Sequence, residues 1–287
     1  HQYPQCVEQI NLYNLQPNVK NSENKALAIY LKAYALFNQK NYVAAEPLFR
    51  TFIATKPATN IYADALNRIG DCLFHARQFT PAIDTYTQVA NLKSTGADYA
   101  LLQNGYAQGL LHQYAQKVLV LNDLIEQYPR SDYADDALYE IARAQLLQNH
   151  NQEAIQTYQS LLQNYPNSNR AIKAALEMGM TYRTLKQYDQ AIQAFKNTIE
   201  NYAGTEESYA ALEGLEQVYV ETNNIEDYIT YTKQLSKMNM QTASSEDSLV
   251  YVTAELQYML GNYPQAAAGL TTYLTRFCPG GRYCTNA

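Results

Sequence analysis

The chain has 287 residues, with 27 Asp and Glu against 21 Lys and Arg and a formal charge of −6; this acidic balance argues against a nucleic-acid partner, because phosphate binding needs clustered cations. No run approaches the ~18 apolar residues of a bilayer span, so direct membrane insertion within this stretch is not expected. Hydrophobic residues make up 47%, ample for a continuous core, but 27 are tyrosine and none is tryptophan, so much of the apolar volume carries a hydroxyl that needs a partner or water.

In residues 1–25, Cys6, Ile10 and Tyr13 at helical spacing predict the tail of a preceding helix, and Pro17 to Asn24 reads as a polar connector. Helix pairs follow. The first has helix A over about Ala26 to Gln39, a turn at Lys40-Asn41 and helix B over about Val43 to Thr55, with Pro47 placed in the first turn, where no intrahelical donor is lost. In the second, Thr80-Pro81 reads as a helix start, threonine capping and proline in the first helical place. Tyr-Pro ends units three and four at Pro129 and Pro166, since the residue before proline is pushed out of helical geometry. Units five and six begin near Ile172 and Tyr209, and a polar join, Asn239 to Asp247, precedes the seventh. Helix B of that unit ends at Cys278-Pro279-Gly280-Gly281; Tyr283-Cys284 then opens a truncated further unit, whose start includes 285–287. Because the first residue is His1 and the last falls just inside that unit, the chain is expected to be a piece of a longer protein.

Ala154-Ile155-Gln156, Tyr158 and Tyr165 recur as Ala191-Ile192-Gln193, Phe195 and Tyr202, each 37 places later. A period in this range signals a solenoid, whose units bury their apolar faces by stacking. Small residues recur in helix A (Ala33, Gly70, Gly105, Ala142, Gly179, Ala254) and in helix B (Ala45, Ala82, Ala154, Ala191, Ala266), usually with an aromatic residue or leucine four places later, such as Phe49, Tyr86, Leu121, Tyr158 and Phe195. Lys117, Glu216, Tyr228 and Thr232 break the series in units three and six.

The pattern, closed by Pro57, Pro129 and Pro166, resembles the tetratricopeptide repeat over 26–284, in units near 26, 63, 98, 135, 172, 209 and 247. In its spacing and its Tyr-Ala openings at Tyr62, Tyr99, Tyr133 and Tyr209, the chain is similar to the periplasmic tetratricopeptide proteins of outer-membrane β-barrel assembly and of the Tol system. The resemblance implies an all-α, right-handed α-solenoid of about seven helix pairs. It also implies a concave groove lined by the A helices, where a partner binds. Tyr30, Tyr34, Phe37, Tyr99, Tyr106, Tyr139, Arg143, Lys173, Arg183, Tyr251 and Tyr258 fall on groove positions. Tyrosine and arginine in a concavity are typical interface anchors; Arg143, Lys173 and Arg183 would form a basic cluster, or else pair with Asp136 and Glu177. The two-lysine, two-asparagine carboxylate clamp of chaperone-binding members is not matched, since Tyr30 and Tyr34 stand where its first lysine and asparagine belong.

Enzyme signals are weak: there is no phosphate loop, paired-histidine zinc helix or nucleophile elbow, and no cofactor or metal is expected. His75, His112 and His150 fall near successive A to B turns and read as turn residues. Cys72 reads as a small buried apolar group. Cys278 and Cys284 flank a Pro-Gly-Gly turn; two free thiols are the preferred reading, and a disulfide in an oxidising compartment is the alternative. The expected function is a non-enzymatic scaffold binding an extended peptide or helix of another protein, in the periplasm or cell envelope of a bacterium. The alternatives are a cytosolic regulatory module and the recognition arm of an enzyme.

Overall fold

A computed structural model describes residues 3–14, 22–236 and 245–287. Fifteen helices and no strand occupy the described residues, and the architecture is an all-α solenoid of helix pairs. The connector and the polar join expected from the sequence lie largely outside the described residues.

Seven times a first helix ends and a second begins after one residue of left-handed backbone: Lys40, Arg77, His112, Asn149, Lys186, Asn223 and Gly261. At each turn the following amide reaches back to close the helix, as in Asn41 N to Leu36 O at 3.0 Å and Asn262 N to Gln257 O at 2.9 Å. This bond satisfies a carbonyl that the helix end would otherwise leave bare, which is why the turns are short and recur at nearly constant spacing.

The chain falls into two bodies, His1–Thr157 and Tyr158–Ala287. The first holds α1 (Tyr3–Asn14), then the pairs α2 (Ser22–Asn38) and α3 (Tyr42–Ile53), α4 (Thr59–His75) and α5 (Phe79–Leu92), α6 (Ala97–Leu110) and α7 (Tyr114–Gln127), and α8 (Ala134–Leu147) with the start of α9 (Asn151–Asn164). Here the A helices touch in succession, α2 with α4, α4 with α6 and α6 with α8, and α2, α4 and α6 also touch their own partners, whereas α3, α5 and α7 do not touch one another among the described residues. Within this body the A helices therefore line the inner side. Their close approach to the B helices depends on missing side chains: a Cβ on Gly70 would lie 2.5 Å from the Tyr86 ring.

The second body holds the rest of α9 and the pairs α10 (Asn169–Thr184) and α11 (Tyr188–Asn201), α12 (Glu206–Glu221) and α13 (Ile225–Ser236), α14 (Glu246–Met259) and α15 (Tyr263–Phe277). Phe195 of α11 is clasped between two glycines, with Gly179 on one side and Gly214 on the other, their Cβ positions 2.7 and 2.6 Å from its ring.

The residues that break the small-residue series have partners. Lys117 and Glu140, 7% and 8% exposed, form a buried ion pair between α7 and α8. In the sixth unit Tyr228 donates its hydroxyl to Glu216 at 3.1 Å. Lys117, Glu216 and Tyr228 stand where most units carry a glycine or alanine, and each meets a polar partner.

Three local expectations are corrected. Pro47 is the sixth residue of α3, beyond its first turn, so the Val43 carbonyl loses its helical donor; Val43 is 88% exposed and water can serve instead. Gln78, not Thr80, precedes α5, which puts Pro81 third in that helix. Cys278 and Cys284 are not free thiols: they form a disulfide with a Cα separation of 5.6 Å. The bonded segment 278–287 makes turns that fold back on α14 and α15; Tyr283 N–H donates to the Tyr273 hydroxyl at 2.7 Å and its ring stacks on Tyr251 at 4.4 Å. Cys72 is buried, its thiol pushed up to about 12 by burial and by the neighbouring carboxylates of Asp71 and Glu46.

Candidate functional site

On the inner side of the N-terminal body, helix α4 carries Asp64, Arg68 and Asp71 at spacings of four and three, so one guanidinium lies between two carboxylates. Arg68 Nη1 is 2.5 Å from Asp71 Oδ2, and Nε is 3.6 Å from Asp64 Oδ1. Asp71 Oδ1 accepts from both Tyr86 and Tyr99 at 2.8 Å, and Tyr30 donates to Asp64 at 2.5 Å. The Arg68 guanidinium also lies over three rings, 5.4 Å from Phe37 and Tyr99 and 5.9 Å from Tyr34. Four expected groove aromatics on α2 and α6 are thus gathered around one arginine that the repeat pattern did not single out.

Burial pushes the Asp71 carboxyl above its usual range, opposed by Arg68 and the two tyrosine hydroxyls. Tyr30, Tyr86 and Tyr99 are held above the usual phenol value by burial first and by the carboxylates they serve second.

Beside this cluster a cavity of about 550 Å³ opens among α2, α4, α6 and the turn before α8; its walls include Tyr30, Asp64, Asn67, Arg68, Asp98, Tyr99, Asp132 and Tyr133. Asn67 is 3% exposed; its Nδ2 donates to the Gly96 carbonyl at 3.0 Å, and its Oδ1 has no hydrogen-bond donor. Gly96, at φ +85°, has no Cβ to hold that amide off. Asp98 accepts from the Tyr99 N–H at 2.9 Å and from the Ser131 hydroxyl at 2.7 Å.

Tyr30, Tyr34, Phe37, Tyr99 and Tyr106 are half-buried on this face. Tyr139, expected as an exposed anchor, is 5% exposed, because the fifth place of a unit faces the neighbouring A helix. Arg143 is exposed, 5.8 Å over the Tyr139 ring and 3.7 Å from Glu140. In the C-terminal body, Lys173 is exposed and Arg183 is engaged, with Nη2 2.5 Å from Glu221 Oε1 and Nη1 bonded to Gln217. Arg183 and Glu221 line a separate cavity of about 570 Å³. Arg143 belongs to the N-terminal body, and both arginines have acidic neighbours, Glu140 for Arg143 and Glu221 for Arg183. Tyr251, also expected exposed, is 7% exposed beneath Tyr283, whereas Tyr258 is exposed and packs edge-on to Tyr263. The described histidines have local roles: His75 stacks on Tyr42 at 4.1 Å, His112 bonds Tyr114, and His150 lies 3.5 Å from Glu153.

Sequence reasoning missed Arg68, Asp98, Asp132 and Tyr133 as members of the site. The signal for Arg68 was present in the Asp64, Arg68, Asp71 spacing. Nothing local marks Asp132 and Tyr133, which arrive from a turn distant in sequence.

Family models of the tetratricopeptide repeat match residues 30–97, 136–168 and 173–205. These segments are similar to tetratricopeptide repeats. The tetratricopeptide repeat protein of Parabacteroides merdae ATCC 43184 matches with a TM-score of 0.55 at 15% identity, over 88% of this chain and 93% of that one. PilF of Pseudomonas aeruginosa matches at 0.53 and 14%, over 75% and 92%. YrrB, a tetratricopeptide protein with an unusual peptide-binding site, matches at 0.51 and 12%, over 74% and 98%. At such identities the likeness concerns the fold. No curated protein sequence matches the chain. Tetratricopeptide repeats generally mediate protein–protein interactions and act as non-enzymatic scaffolds. Among the described residues no helix is long and apolar enough to cross a membrane.

Proposed function

We propose that the chain is a non-enzymatic scaffold that holds an extended segment or a helix of another protein against the inner face of the N-terminal body. The observation that carries this reading is the gathering of Tyr30, Tyr34, Phe37 and Tyr99 around Arg68 beside an open cavity. Rigid aromatic side chains held by packing lose little freedom when a partner arrives, which favours their use as anchors. The peptide-binding site of the fold neighbour YrrB is consistent with this use. A photo-reactive amino acid placed at Tyr34 or Tyr106 should cross-link a partner in the cells that make the protein, while the exposed helix-B position Gln88 should not. Equal labelling at all three would remove the face from consideration.

The proposed setting is the bacterial periplasm or cell envelope, in the company of the β-barrel assembly and Tol proteins that the sequence resembles. The Cys278–Cys284 disulfide supports an oxidising compartment. Quantitative alkylation of both cysteines in intact cells without reductant would favour the cytosolic alternative.

A further inference from the structure

The charges around the N-terminal cavity do not cancel. Arg68 lies between Asp64 and Asp71, which leaves Asp98 and Asp132 on the cavity wall in excess. The hydroxyl and amide that bond Asp98 fix its carboxylate without neutralising it. Arg130, in the same turn as Asp132, is exposed and does not line the cavity. Burial, and next the Asp98 charge, raise the phenol of Tyr133 on the cavity wall.

Asn67 gives an independent indication. Its orientation is fixed by the bond from Nδ2 to Gly96, so the buried Oδ1 is an acceptor that lacks a donor. Buried amide oxygens are rarely left so, and a donor brought by a ligand is one remedy. The rings of Tyr99 and Tyr133, 5.7 Å apart and tilted by 58°, add π faces to the same wall. Excess carboxylates, an acceptor without a donor, and aromatic faces share one complement: a cation bearing N–H groups.

We propose that this cavity receives a lysine or arginine side chain of the partner segment, which makes the scaffold selective for basic peptides. The assignment rests on the inner face being a peptide-binding face. An anionic group would instead meet Asp98 and Asp132, and a purely apolar one would leave Asn67 Oδ1 unsatisfied.

The test selects a random linear-peptide phage library on the immobilised full chain. Enriched peptides should share a Lys or Arg at one position, and its replacement by Gln should weaken binding about tenfold. The Asp98→Asn, Asp132→Asn double variant should bind the Lys and Gln forms alike. If that variant fails to fold by circular dichroism, Asp132→Asn alone, at an exposed site, should still narrow the Lys-to-Gln difference by about threefold. Peptides blocked by Tyr34→Ala but sharing no basic position would overturn the cation assignment and leave the peptide-binding face standing. A shared basic position insensitive to the Asn substitutions would do the same. Enrichment of no peptide would overturn both.

Discussion

Replacing Lys117 by methionine tests how the solenoid tolerates a large polar residue at a close-packing position. Lys117 is 7% exposed and its partner Glu140 8% exposed, and removing one member of such a pair typically costs about 3–5 kcal/mol, because the other charge stays buried. Arg143, 3.7 Å from Glu140 but half in solvent, recovers about 1 kcal/mol of that at most, so the expected loss is about 2–4 kcal/mol. Glu140→Gln should cost about 3–5 kcal/mol, since it leaves Lys117 without its carboxylate. Lys117→Met with Glu140→Leu should return to within about 1 kcal/mol of the parent or exceed it, because two apolar groups need no partner. Repeat arrays do not always unfold in one step, so the readout should be hydrogen exchange of the α7 and α8 amides alongside urea unfolding. Single losses that simply add in the double variant would refute the pairing argument.

Three further outcomes are expected. Of the four cysteines, only Cys6 should react with a thiol reagent in the native, unreduced chain; Cys72 should join it on unfolding, and Cys278 and Cys284 after reduction. A native Cys72 that reacts as fast as Cys6 would contradict its burial. Tyr30, Tyr86, Tyr99 and Tyr228 have folded values raised above the ordinary 10.0; their contribution to stability is complete below that value and lost as pH rises through the folded values. Tyrosinate absorbance and loss of helical circular dichroism should therefore rise together above pH 10, and smooth titration of a chain that stays folded would refute this. Tyr228→Phe should cost about 1 kcal/mol and speed exchange in α12 and α13 more than in α10 and α11; an unchanged pattern would mean that the Glu216 bond contributes nothing.

The pairing of helices was legible in the sequence because each pair must close at one level, and most units close on small residues there: Gly70 against Tyr86 and Gly179 against Phe195 leave no room for a Cβ. The exposure of the A-helix faces was less legible. In the N-terminal body the fifth place of the unit holds Tyr30, Asn67, Leu102 and Tyr139, the first half-buried and the rest buried, because it points into the seam between successive A helices. The ninth place is more open, with Tyr34 and Tyr106 half-buried and Arg143 exposed, although Asp71 at the same place is buried beneath Arg68, Tyr86 and Tyr99. A family frame assigns one exposure to both places, whereas the packing radius of the neighbouring helix separates them.

The polar exceptions follow a rule that no single position reveals. A buried tyrosine hydroxyl in a B helix needs an acceptor, and in three places a carboxylate on an A helix supplies it: Asp71 for Tyr86, Glu177 for Tyr158 and Glu216 for Tyr228. Glu216 reads as a defect when the small-residue series is inspected alone and as a requirement once Tyr228 is placed opposite. Lys117 and Glu140 stand in the same relation. Part of the chain's acidic excess is thus internal, committed to tyrosines that replace the apolar aromatics of a simpler core. Asp98 and Asp132 differ in kind, since the donors that reach Asp98 are neutral and Asp132 is exposed. Carboxylates bound to tyrosines account for the fold; those left on a cavity wall beside an amide oxygen without a donor are the ones a partner can answer.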